Sequence, residues 1–172
     1  MGIRFAQKLQ VVPKKTPEVL ADGDFAHTRL KNMQWLSFLC NWGTITTATD
    51  SVVYRVYSTT AEDGSTSTSD VALPFWYRLS SAVGSDDWGD VTHVSTGSDG
   101  VTITGDLDDK MLIIDVDPAV IPSKDDNATH VYIDIDVTIT ATDTAPYGSI
   151  IGVFEPRYPQ VENLSSTSST DI

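Results

Sequence analysis

A single cysteine in 172 residues, Cys40, rules out an internal disulfide. It stands in the apolar run Trp35-Leu36-Ser37-Phe38-Leu39-Cys40 and reads as a small buried hydrophobe rather than a nucleophile. No stretch approaches the ~18 consecutive apolar residues of a membrane-spanning helix. Met1 to Val12 is interrupted by Arg4, Gln7, Lys8 and Gln10, so it carries no signal core, and Ala6 stands where a myristoylated Gly2 needs Ser or Thr. The expectation is a soluble chain made in a reducing cytoplasm. Histidine is scarce: His27, His93 and His130 are far apart, without zinc-ligand spacing or cysteine partners. No nucleophile elbow, P-loop or dinucleotide-binding glycine pattern occurs, and no fixed-period repeat is visible. These absences predict no enzyme and no tightly held cofactor.

What is present is globular in character, with 40% hydrophobic and 9% aromatic residues. A single domain of this length buries roughly 70% of the surface its unfolded chain exposes, enough for a core without staples. The net charge of −13 comes mainly from 20 Asp against 4 Glu, and Asp is a turn former, so the acidity belongs to loops and solvent faces. Such a surface repels nucleic acid and anionic membranes. The charge is unevenly spread. Residues 1–31 carry Arg4, Lys8, Lys14, Lys15, Arg29 and Lys31 against Glu18, Asp22 and Asp24, a net of +3, which leaves −16 for the remaining 141.

Residues 1–23 read as an extended N-terminal arm, because Pro13 and Pro17 forbid a continuous helix. Within it, Val11-Val12 and Val19-Leu20 have no local partner and call for contact with something else, so that removal of residues 1–20 would leave the body folded. Residues 24–160 form the body. From Asp24 to Cys40 the spacing of Leu30, Met33, Leu36 and Cys40 favours one short helix, although an apolar strand from Gln34 to Trp42 fits the same letters. Strands are predicted at 51–60, 73–80, 91–94, 101–105, 111–117, 130–142 and 149–154, with Asp106 to Lys110 as a hairpin connection between two of them. The cleanest signal is 130–142, where Val131, Ile133, Ile135, Val137 and Ile139 alternate with polar residues, one face on a core and one in water. Residues 161–172 read as a disordered Ser/Thr tail. The expected architecture is all-β, an antiparallel sandwich or jelly roll.

Several groups invite a functional reading. Asp86-Asp87-Trp88-Gly89-Asp90, Asp106 with Asp108 and Asp109, and Asp125-Asp126-Asn127 offer oxygen ligands for Ca2+, but none matches a calcium-loop pattern, and solvated turns explain them. Asp134 and Asp136 lie on one strand face about 7 Å apart. Paired carboxylates serve glycosidases, yet an open sheet face protected from edge aggregation explains them more simply. Trp76 and Trp88 are candidate interface anchors or sugar-stacking rings. In the arm, the cations Arg4, Lys8, Lys14 and Lys15 with Val11 and Val12 suit a protein partner, through an extended strand added to a sheet edge, better than nucleic acid.

The phrase Ser98-Asp99-Gly100-Val101-Thr102-Ile103-Thr104-Gly105, the strand Met111 to Asp117 and the closing Ile150-Ile151-Gly152-Val153-Phe154-Glu155-Pro156-Arg157-Tyr158 resemble, in style, the decoration or cement proteins of tailed-phage heads. The resemblance covers roughly residues 98–158. It implies a β-rich oligomer, commonly a trimer, on the capsid exterior, with a terminal arm clamping neighbouring major capsid subunits. The alternative is a glycan-binding or adhesin-type sandwich of a tail fibre or baseplate, with its site at Trp76, Trp88 and the Asp loops.

Overall fold

Alternate side chains of the apolar segments turn toward one interior, and two antiparallel sheets result. The computed structural model describes residues 9–30, 33–45, 50–60, 70–81, 86–96, 98–107, 109–121, 132–140 and 146–156. The larger sheet has the order β1 (Gln10–Val19), β11 (Tyr147–Pro156), β3 (Met33–Trp42), β9 (Met111–Val116), β6 (Phe75–Leu79), β7 (Thr92–Val94). The smaller has the order β2 (Gly23–Arg29), β10 (Tyr132–Thr140), β4 (Ser51–Thr59), β5 (Val71–Ala72), and β8 (Val101–Thr104) also pairs with β4. The chain is thus an all-β sandwich.

The core lies between the sheets. Leu36, Phe38, Leu112, Ile114, Val116 and Phe154 enter it from the larger sheet, and Val52, Tyr54, Val56, Ile133, Ile135 and Val137 from the smaller. Phe38 and Phe154 meet edge to face, with centroids 5.8 Å apart. Gly100, with φ +69°, turns the chain against β4: a Cβ there would lie 2.7 Å from the Tyr54 carbonyl oxygen, so both the dihedral and the space require glycine.

Four expectations change. The stretch from Asp24 to Cys40 is not a helix but parts of two strands, β2 and β3, which belong to different sheets. Leu36, Phe38, Cys40 and Trp42 all point inward at period two, and pairing with β11 and β9 on either side satisfies the β3 backbone. The segment 73–80 is interrupted at Pro74, where the chain passes from β5 in one sheet to β6 in the other. Asp106 to Lys110 is no hairpin turn: it carries the chain from β8 in the smaller sheet to β9 in the larger, through a 3-10 turn at Gly105–Leu107.

The fourth change concerns the arm. Over Gln10–Val19 it is the edge strand of the larger sheet, paired with β11, with register shifts between Pro13 and Lys15 and between Lys15 and Glu18. An edge position tolerates the two prolines, which have no N–H to donate. Val12 packs on the core and Leu20 is buried, its N–H donating to the Pro146 carbonyl at 2.9 Å. Leu20 sits so closely over Gly148 that a Cβ there would lie 2.7 Å from Leu20 Cδ1. These apolar pairs therefore find half of their partners within the chain, while Val11 and Val19 remain exposed. Arg4, Lys8, Asp125-Asp126-Asn127, His130 and the Ser/Thr tail lie outside the described residues.

Candidate functional site

Two surfaces collect the residues of interest. The first is the seam where β1 meets β2. Lys14 points inward, and its Nζ donates to the His27 carbonyl at 2.9 Å and lies 5.4 Å from the Phe154 ring centroid. Burial pushes its pKa down to about 8, opposed by the charge of Asp134. Asp134 is 3% exposed, and the His27 ring N–H at Nδ1 donates to its Oδ1 at 2.6 Å, with Tyr132 stacked on the imidazole at 4.6 Å. A buried carboxylate requires such a partner.

Asp136, its expected companion, turns to Arg55 instead, at 3.4 Å. Burial raises the Asp136 pKa, and the hydrogen bond and charge of Arg55 offset part of that rise. The two carboxylates thus have separate partners, His27 and Arg55, and different exposure, so they are not an open solvated pair. Lys15 forms an ion pair with Glu18 and lies 4.1 Å over the Phe25 ring. Both described lysines expected to clamp a partner are engaged inside the body.

The titration of Lys14 can be measured. Below about pH 8 the lysine is charged in both states, and the folded state carries the full burial cost. Between about 8 and the ordinary 10.5 the unfolded chain binds the extra proton, so stability rises with pH, and above 10.5 the cost is gone. Urea unfolding of the native chain and of Lys14→Met at pH 7 and pH 10 should therefore show the native chain gaining about 2 kcal/mol relative to the variant, after allowance for partial solvent access. A pH-independent difference would contradict this.

The second surface is the outer face of the larger sheet. Cross-strand register sets two rows across it: Val11–Val153–Ser37–Asp115–Trp76–His93 and Pro13–Ile151–Leu39–Ile113–Arg78. Trp76, one of the expected anchors, stacks on His93 at 4.7 Å and on Trp35 at 6.4 Å, with interplanar angles of 29° and 28°. Asp115 Oδ1 accepts from Ser37 Oγ and, at 3.4 Å, from Trp35 Nε1. Trp88, the other anchor, forms a bridge to Ser80, and the Arg78 guanidinium lies 6.0 Å over its ring. The sequence reading missed Trp35, Asp115 and His93. The period-two alternation of 33–42 was the signal that could have turned Trp35 outward.

The Asp86–Asp90 loop is held by backbone bonds, with Ser81 N–H donating to the Asp87 carbonyl at 3.0 Å and Gly89 N–H to the Leu79 carbonyl at 2.8 Å. Among the described residues no group of three His, Cys, Asp or Glu side chains is placed to hold a metal ion. No described helix is long and apolar enough to cross a membrane.

No protein-family model, curated protein or solved structure matches the chain. The functional reading therefore comes from its surfaces.

Proposed function

We propose that this chain is a structural protein of a phage particle, a capsid decoration protein seated on the outer surface of the shell and fastened to the major capsid protein along its N-terminal strand. It has no catalytic role. It adds contacts between neighbouring capsid subunits, and many copies on a lattice make individually weak contacts effective together.

The observation that supports this is the composition of one edge. Among the described residues the exposed large hydrophobic side chains are Val11, Val19, Val91 and Tyr147. Three of the four sit on β1 and its neighbour β11, and Val19 and Tyr147 are register partners. Among the described residues the strand β1 ends its sheet, so no described strand pairs with its outer backbone, and apolar side chains stand beside it. Prolines, lysines and register shifts blunt the middle of this edge, which leaves its two ends, beside Val11 and Val19, for an added strand. In this reading the lysines serve the body rather than the partner: Lys14 and Lys15 anchor β1 in place, and the apolar edge makes the contact.

Cosedimentation with shells that lack this protein tests the reading. Val11→Lys with Val19→Lys should weaken shell binding at least tenfold, about 1.4 kcal/mol, while the circular dichroism and melting temperature stay those of the native chain. Full decoration by the double variant would reject attachment through β1.

A further inference from the structure

The two outer faces of the sandwich differ in kind. On the smaller sheet, Arg55, Asp136 and Thr138 are joined by hydrogen bonds, and Asp134 bonds to His27, so that face is polar and internally paired. On the larger sheet, the row Pro13–Ile151–Leu39–Ile113 is aliphatic over four adjacent strands, and Val153 and Trp35 adjoin it. These side chains are half-buried by one another, except the more exposed Pro13, and none carries charge. A sheet face meant for water alternates apolar-in with polar-out, and this one does not.

We propose that the outer face of the six-stranded sheet is a self-association surface, covered in solution by the same face of a second copy of this chain. Charge selects the occupant. At −13, two copies repel wherever their acidic loops approach, and this uncharged block is where they can touch without that cost. A strongly cationic partner would be drawn instead to the acidic loops, so the aliphatic face favours a partner that is itself acidic. Charge stands only at the margins of the block: Glu155 opposite Trp35, Arg78 beyond Ile113, and Asp115, which is occupied by Ser37 and Trp35.

Size agrees. Six strands at about 4.8 Å and a mean length of about 20 Å give roughly 600 Å2 in plan before side-chain relief, close to the ~800 Å2 per partner of a standard interface. Sheets pack face to face about 10 Å apart with strand directions within about 30°, and a surface packed on itself makes a closed two-fold pair. The backbone edge of β1 lies in the plane of the sheet, so this pairing leaves it open.

Sedimentation equilibrium of the full chain over a hundredfold concentration range tests this. The native protein should show twice the chain mass. Leu39→Glu and, separately, the gentler Ile151→Thr should lower the association constant at least a hundredfold and at least fivefold, with unchanged circular dichroism. Val19→Lys, outside both rows and on the edge that binds the shell, should keep the native mass, which separates this inference from attachment through β1. A native chain that stays monomeric overturns the proposal. So does a trimer whose mass neither central substitution alters. A monomer whose tryptophan fluorescence shifts on adding an oligosaccharide gives the face to a sugar and equally overturns it.

Discussion

Deletion of residues 1–20 is expected to cost about 4 kcal/mol or more, not to release a spare arm from an intact body. Leu20 is 2% exposed, and burial of a leucine is worth about 2–3 kcal/mol, with a partly buried valine such as Val12 adding about 1. The deletion also uncovers the β11 edge and leaves the carbonyl of His27 without Lys14. Against a typical total of about 5–15 kcal/mol, that is enough to unfold a marginal domain at physiological temperature. Urea titration of the truncated and full chains measures it as a lower midpoint. Removal of residues 1–8 alone keeps β1 whole, so comparing its urea midpoint with that of the longer deletion shows how much of the loss belongs to Gln10–Val19 and Leu20. Its effect on shell binding then reports on Arg4 and Lys8 apart from stability. A body lacking residues 1–20 that melts like the native chain would show that β1 is only laid against it.

The strands legible in the sequence are those whose letters fit one period. In β10, Ile133, Ile135 and Val137 alternate with Asp134, Asp136 and Thr138, and no helical face can be drawn through them. β4 and β9 read the same way. The segment 33–42 fits two periods at once, because Met33, Leu36 and Cys40 satisfy helical spacing while Leu36, Phe38, Cys40 and Trp42 satisfy the strand. The choice is made by β11 and β9, whose paired residues lie 70 or more positions away, and a local pattern carries no trace of them. The same holds for β1, whose partner β11 lies at the other end of the chain, so its half-apolar letters look orphaned until the sheet is assembled.

The surface was legible in parts. Trp76 is visibly unusual beside Phe75 and Tyr77, and alternation already divides those three between faces. That it stands over Asp115 and beside His93 follows from the register of three strands, which no spacing encodes. Asp134 shows the converse. Its outward direction follows from alternation, but its burial does not, because His27 reaches it through a register shift between Ile133 and Ile135. Lys14 and Lys15 looked like free cations because charge is read residue by residue, whereas their partners, the His27 carbonyl, Glu18 and Phe25, are set by the way the strand folds back.

Phe154→Ala should be the most damaging single change, costing about 3–5 kcal/mol, because the ring is 1% exposed and joins three features. It meets Phe38 edge to face, it lies beneath Lys14, and it covers Gly152, where a Cβ would stand only 2.8 Å from Phe154 Cε1. Gly152→Ala alone should therefore cost about 1–3 kcal/mol by overpacking. Combined with Phe154→Ala, the added methyl enters space the ring has left and recovers part of the lost contact. The double variant should then be less destabilised than the two single changes together, by about 1 kcal/mol or more, a coupling expected only between groups in direct contact. The cavity also admits water beneath Lys14, so its pKa should climb from about 8 toward the ordinary 10.5, and the pH dependence of stability between those values should flatten. Strict additivity of the two substitutions, or an unchanged Lys14 titration in Phe154→Ala, would separate the ring from the glycine and the seam, and with them the account of how β1 is held.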